Sequence, residues 1–554
     1  MLELLALGLV AVAVICVLQL LAEKTGLPAA ALLTVAGLIY ALLPGPNLTL
    51  QPDLILTLVI PPLIYSAALD SSLLAIRKNL RSVISLSIGL VLATSLLTGV
   101  GLDLLVPGLG LAAGVALGAA VSPTDPVAAL AVGGRVGLPA RLITIIEGEG
   151  LLNDATALTT LTVAVTAATS GNFSLGDSML HFLLAAAGGL VAGVIVGIAV
   201  RLIRSAIRDP LLVNCISLVT PFAAYLLGEE IHVSGVLAVA VAGLMVGHDT
   251  PRYTSGASRL QVSAVWRLID FLLQGFVFLL IGQQIVPVVR GLRSYPTSTI
   301  AAAVLVTVGV VLVLRPLWLM LTQHLPGALH TRLGGRGGTG RALSERALSE
   351  RALSGREVIV LSWAGTRGVI TLAAVFTLPL TAAGRPFPDR DLLLFCAYLV
   401  VVVTLVLQGV TFAPIVRALG VRADPADVAS VRNDARAASV RAGLNRLDQL
   451  TEDPDVPGHE LDGLRSTLQI RLRRYQADSD DDQDRDGPEV SAPGSPEHEA
   501  VRWARRAVID AQREELLRWR DAGLLPDSSL RVLERELDHE ERTFPAQEGP
   551  DGSH

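Results

Sequence analysis

Apolar runs of about 20 residues, the length at which a helix crosses the hydrocarbon core of a bilayer, recur through the first 420 positions. Lipid offers the backbone no hydrogen-bond partners, so repeated runs of this length read as helices that satisfy their own amides. Only 17% of residues are charged and mean hydropathy is +0.56, whereas soluble domains carry about 25% charged residues. An ordinary soluble enzyme is excluded. Read between polar or Pro/Gly breaks, the runs fall near 4–22, 28–44, 53–70, 82–105, 108–133, 142–168, 180–203, 211–228, 232–247, 265–287, 297–322, 357–381 and 391–417. The expected fold is an all-α polytopic membrane protein with about 13 transmembrane helices. The first run lacks a basic leader and is followed by Glu23-Lys24, so it reads as a retained helix rather than a signal peptide.

Charge divides the chain in two. Residues 1–420 carry 25 Lys and Arg against 20 Asp and Glu, and residues 421–554 carry 19 against 30. The expected domains are a transmembrane body over 1–420 and an acidic, partly helical tail over 421–554. The stretch around 477–497 is charged and rich in Pro, Ser and Gly, and reads as disordered. The acidic balance argues against nucleic acid as a partner. Basic residues cluster in alternate loops, at Lys24, at Arg77, Lys78 and Arg81, at Arg135 and Arg141, at Arg201, Arg204 and Arg208, at Arg252 and Arg259, and at six Arg between 332 and 356. The positive-inside rule then places the N-terminus outside and the tail in the cytoplasm.

Several features carry no chemistry. Cys16, Cys215 and Cys396 each sit inside an apolar run and read as small hydrophobes; no disulfide framework or cofactor site is expected. The RALSE repeat within 332–356 is too short for a solenoid unit. Asp482, Asp484, Asp486 and Gly487 imitate the start of a calcium loop, but Pro493 stands where its bidentate Glu belongs.

Charges inside membrane spans cost a few kcal/mol or more, so they usually face a cavity. They concentrate in four places. In the fifth span, Ser122-Pro123-Thr124-Asp125-Pro126 carries two prolines three apart, which break a continuous helix. Carbonyls around Thr124 and the carboxylate of Asp125 would then line a cavity and suit a hard cation; the bland alternative is a kinked helix capped by Asp125. The sixth span opens with Glu147-Gly148-Glu149-Gly150-Leu151-Leu152-Asn153-Asp154. An acidic helix start explains Glu147, but apolar sequence follows Asp154 directly. The twelfth span holds Gly365-Thr366-Arg367-Gly368. An unpaired buried charge is strongly destabilising, so Arg367 is expected to pair with Glu149. Arg315, before Pro316 in the eleventh span, reads as structural support. Interrupted spans in corresponding positions of two halves point to inverted repeats with a site near the midplane.

This pattern resembles the monovalent cation/proton antiporter-1 family, which includes NhaP-type bacterial sodium/proton antiporters and eukaryotic sodium/proton exchangers. Thr124-Asp125-Pro126 in one span, Glu149 with Asn153-Asp154 in the next, and Gly365-Thr366-Arg367-Gly368 later carry the likeness. The resemblance implies a homodimer that exchanges Na+ or Li+, or K+ in a broader variant, for H+ across the plasma membrane by elevator-type alternating access. It implies Asp154 as the principal carrier, Asp125 and Thr124 shaping the cation site, Asn153 orienting it, and a Glu149–Arg367 bridge. Many prokaryotic members have Ser where this chain has Gly150, so one hydroxyl ligand is expected to be missing or replaced by water, which leaves the cation preference open. Burial and mutual repulsion both penalise two charged acids in one cavity. The pair would take either a proton or a cation, and competition for one site couples the two fluxes. Asn before Asp154 removes one titratable charge, which in the family accompanies electroneutral exchange. A membrane sensor with a vestigial site is the rival of another class; such a site should have lost Asp125 or Asp154.

Overall fold

The computed structural model describes residues 2–43, 54–170, 175–207, 209–253, 256–324, 353–382, 385–423, 425–451, 458–476 and 496–542. Nearly all of them are helical; a two-residue ribbon, Thr381–Ala382 against Arg385–Pro386, is the exception to note. In chain order the membrane-type helices are α1 (Leu2–Thr25), α2 (Ala29–Ala41), α3 (Ile55–Asp70), α4 (Leu80–Leu105), α5 (Leu111–Val121), α6 (Val127–Val136), α7 (Ala140–Ser170), α8 (Leu175–Ala206), α9 (Pro210–Glu230), α10 (Gly235–Tyr253), α11 (Gly256–Gln283), α12 (Thr297–Leu319), α13 (Gly355–Trp363), α14 (Val369–Phe376) and α15 (Arg390–Leu419). Among the described residues, eight helices are long and apolar enough to cross a bilayer, and four shorter apolar helices accompany them. The fifth and twelfth runs do not appear as full-length spans. Each is divided into two half-helices, α5 with α6 and α13 with α14.

The chain forms two compact units. Unit 1 comprises 1–203, 215–249 and 265–422; unit 2 comprises 204–214, 250–264 and 423–554.

Unit 1 is packed through small residues, because lipid tails are as apolar as leucine and only close approach favours helix contact. On α4 and α5, a Cβ at Gly114 would lie 2.9 Å from the backbone of Gly99, and one at Gly118 would lie 2.6 Å from the Ser95 carbonyl. On α8, a Cβ at Gly189 or Gly193 would meet the carbonyls of Ser234 and Ala238 at 2.6 Å. Large apolar side chains such as Leu104 and Leu305 point outward, 76% and 73% exposed, as a lipid-facing surface requires.

Unit 2 contains the polar helices α16 (Pro425–Thr451), α17 (Gly458–Gln476), α18 (Pro496–Asp521) and α19 (Asp527–Arg542). Two clusters hold them together, Ala435, Ile509, Leu516, Leu530 and Leu533 in one and Val440, Leu447, Leu461 and Val508 in the other. Arg259 and Arg513 both donate to the buried carboxylate of Asp538. The expected disordered stretch, the calcium-like loop and most of the RALSE repeat lie outside the described residues.

Candidate functional site

The two helix breaks meet. Proline supplies no backbone donor, and Pro123 and Pro126 leave 122–126 without regular helix. The 365–368 segment is likewise unwound. The exposed backbone of each break is satisfied by the other: Asp125 N donates to Thr366 O at 2.7 Å, and Thr366 Oγ1 donates to Asp125 O at 2.8 Å. Asp125 also accepts from Val127 N at 2.9 Å, capping α6. Gly368 permits the crossing, since a Cβ there would overlap the Asp125 carboxylate.

α7 approaches the crossing with its acidic stretch. Asn153 Nδ2 donates to Thr124 O at 3.1 Å and to Thr124 Oγ1 at 3.0 Å. Thr124 Oγ1 in turn donates to Glu149 Oε1 at 2.9 Å. Asn153 therefore pins the unwound strand to α7, and the expected cation-facing carbonyl of Thr124 already accepts one hydrogen bond. Asn153 Oδ1 is buried with no hydrogen-bond partner among the described residues. Asp154 is 4% exposed, and no hydrogen bond or ion pair to its side chain is found among the described residues. Gly150 lies against Pro126, where a Cβ would come within 2.8 Å of the ring. The absence of a side chain at position 150 is thus the condition for α7 to pack on the break.

The arginines differ from expectation. Glu149 pairs with Arg315, not with Arg367: both Arg315 nitrogens reach the carboxylate, Nη2 to Oε2 at 2.9 Å, and both side chains are 2% exposed. Arg315 Nε also donates to Leu361 O at 3.1 Å. Arg367 turns to the carbonyls that the breaks release. Its Nε donates to Val121 O at 3.1 Å, Nη1 to Gly365 O, and its backbone N to Thr404 Oγ1 at 3.0 Å. Arg367 thus uses its fan of donors to stabilise the broken backbone. Gly365 separates the two cations: a Cβ there would lie 2.6 Å from the Arg315 stem and 2.9 Å from Arg367 Nη1.

A cavity of about 400 Å³ opens beside the crossing, lined by Thr124, Asp125, Glu147 and Asp154 from one side and by Ser66, Asp70 and Asp270 from the other. The structure therefore brings Asp125 and Asp154 to one space and keeps Glu149, Arg315 and Arg367 out of its lining. Asp270, a cavity carboxylate, escaped the sequence reading. The signal was present, an acid inside the apolar 265–287 run, but no helix break or recognisable motif marked it.

The sequence matches the family described as “Sodium/hydrogen exchanger, transmembrane” over residues 10–418. It is 33% identical to an uncharacterised Na(+)/H(+) exchanger of Mycobacterium bovis over 522 residues, covering 92% of this chain and 90% of that protein. It is 32% identical to the sodium, potassium, lithium and rubidium/H(+) antiporter of Bacillus subtilis, covering 68% of this chain and 55% of that protein. The fold is similar to that of the sodium proton antiporter MjNhaP1 from Methanocaldococcus jannaschii, with a TM-score of 0.62 and 18% identity, covering 77% of this chain and 99% of that one.

Proposed function

Because the chain belongs to the sodium/hydrogen exchanger family, whose members are membrane cation/proton antiporters and not enzymes, we propose that it exchanges Na+ or Li+ for H+ electroneutrally at the cavity beside the crossed helix breaks. The observation that carries this reading is the shared cavity of Asp125 and Asp154, with Asp154 buried and without a partner among the described residues. A carboxylate in that position needs either a proton or a cation to offset the loss of water. One occupant displaces the other, so the fluxes are coupled at a single site. Asp154 is the carrier, Asp125 and Thr124 shape the site, and Asn153 orients it through its hydrogen bonds to Thr124. Glu149 with Arg315 is the structural pair.

The protein works as a homodimer in the plasma membrane, with its N-terminus outside and residues 421–554 forming a cytoplasmic tail beyond the transmembrane body of 1–420. The broken-helix half moves elevator-fashion against the remaining spans and serves pH homeostasis. The name of the Bacillus subtilis relative favours a second reading, a broad alkali-cation/proton antiporter that also takes K+.

Reconstitution into vesicles containing a pH dye tests both. Na+ and Li+ dissipate an imposed pH gradient under the first reading, and K+ does so as well under the second. No response to any alkali cation overturns the exchange assignment.

A further inference from the structure

The cavity has an acidic wall that the mechanism above leaves unused. Asp270 stands on α11 and faces the same space as Asp125 and Asp154. Ser66 Oγ of α3 donates to Asp270 Oδ2, so the carboxylate is aimed by a neighbouring helix. Its other oxygen, Oδ1, is buried and has no hydrogen-bond partner among the described residues. The contact is held by packing: Tyr65, beside Ser66, lies against Trp266 with ring centroids 5.3 Å apart. Trp266 Nε1 is fixed by Ser217 Oγ at 2.9 Å. A rigidly held carboxylate with one satisfied oxygen is costly as structure alone, because the bare oxygen has lost its water. An asparagine would serve the Ser66 contact without a buried charge.

The groups facing Asp270 are mostly of its own sign. Asp70 comes from α3, Asp125 from the helix break, and Glu147 and Asp154 from α7. Arg267 and Gln274 flank it on its own helix. A cavity lined by one sign of charge concentrates cations.

We propose that Asp270, oriented by Ser66, is a second cation and proton station of the transport cavity, holding the ion at its carboxylate before transfer to the Asp125–Asp154 pair. The step is association and release only: an alkali cation binds the carboxylate and leaves it, or a proton forms an O–H bond there that breaks when the proton is released. The proposal rests on the exchange reading and deepens it.

Full-length protein in dye-loaded vesicles tests it, with Asp270→Asn, Ser66→Ala and Asp154→Asn compared against wild type. Asp270→Asn raises the half-saturating Na+ concentration about 5-fold or more and shifts the pH profile of exchange, while the maximal rate stays within about 3-fold, the pattern of lost ground-state binding. Ser66→Ala moves the half-saturating concentration the same way by about 2-fold; it leaves the carboxylate in place and serves as the readout if Asp270→Asn fails to fold. An active wild type whose cation and pH dependence are unchanged in both variants overturns the station. Complete loss in Asp270→Asn, with an unchanged melting temperature, also overturns it by making Asp270 a principal carrier. A wild type inactive with every alkali cation sinks the exchange reading instead.

Discussion

Glu149 and Asp154 stand on the same helix, five residues apart, and are both buried, yet the fold treats them in opposite ways. Glu149 meets Arg315 through both carboxylate oxygens and also accepts from Thr124. Asp154 meets no hydrogen-bond donor among the described residues and faces a cavity shared with Asp125 and Asp270. The first arrangement spends a buried cation to neutralise an acid and fix a helix crossing. The second leaves an acid to be neutralised by whatever enters. Two carboxylates on one helix are thus met differently, one by a cation and one by a cavity, and the difference lies in which partner the neighbouring helix presents.

The largest effect should come from Asp154→Asn, which removes the charge and keeps the shape. Exchange falls to the background of empty vesicles while the melting temperature holds; retained exchange would erase the contrast drawn above. Arg315→Ala should do the reverse. It leaves Glu149 buried without its cation, at a cost of about 3–5 kcal/mol, read as a lower melting temperature in detergent. The double variant Arg315→Ala with Glu149→Gln should recover part of that loss, whereas a matching Arg367→Ala, Glu149→Gln double should not.

Gly150→Ser tests whether packing or ligation decides that position. The added atoms press on Pro126, and overpacking of this kind costs about 1–3 kcal/mol. A variant with wild-type stability and tighter Na+ dependence would mean that the break yields and the hydroxyl becomes a ligand.

The tail provides the smallest effect and a third treatment of buried charge. Glu534 lies near Asp538, Arg259, Arg513 and Arg520, and its carboxyl is pushed up to about 7 by burial first and by Asp538, with the arginines opposing. The folded tail therefore binds this proton more tightly than the unfolded chain does, whose ordinary value is 4.5. Its contribution favours folding in acid and declines as pH rises from 4.5 through 7. Amide protection over residues 527–542 in the full-length protein, taken relative to the intrinsic exchange rate at each pH, should fall across that window, and Glu534→Gln should flatten the dependence. An unchanged slope in the variant assigns the pH response to other groups.

The sequence alone determined the all-helical membrane architecture, because apolar length and the need for internal backbone hydrogen bonds leave few alternatives. It also located both breaks, since Pro123, Pro126, Gly365 and Gly368 act on the backbone locally, and it singled out Asp125 and Asp154 as acids where lipid was expected. Only the tertiary structure decided which arginine pairs with Glu149. Either cation satisfies the charge balance, and the choice follows from where α12 approaches α7 and from carbonyls that exist as acceptors only because the helices are broken. Asp270 belongs to the same class: a lone acid in an apolar run acquires meaning when Ser66, distant in the chain, holds it against a shared cavity. Local chemistry is written along the chain, whereas the pairing of buried charges depends on distances that packing alone sets.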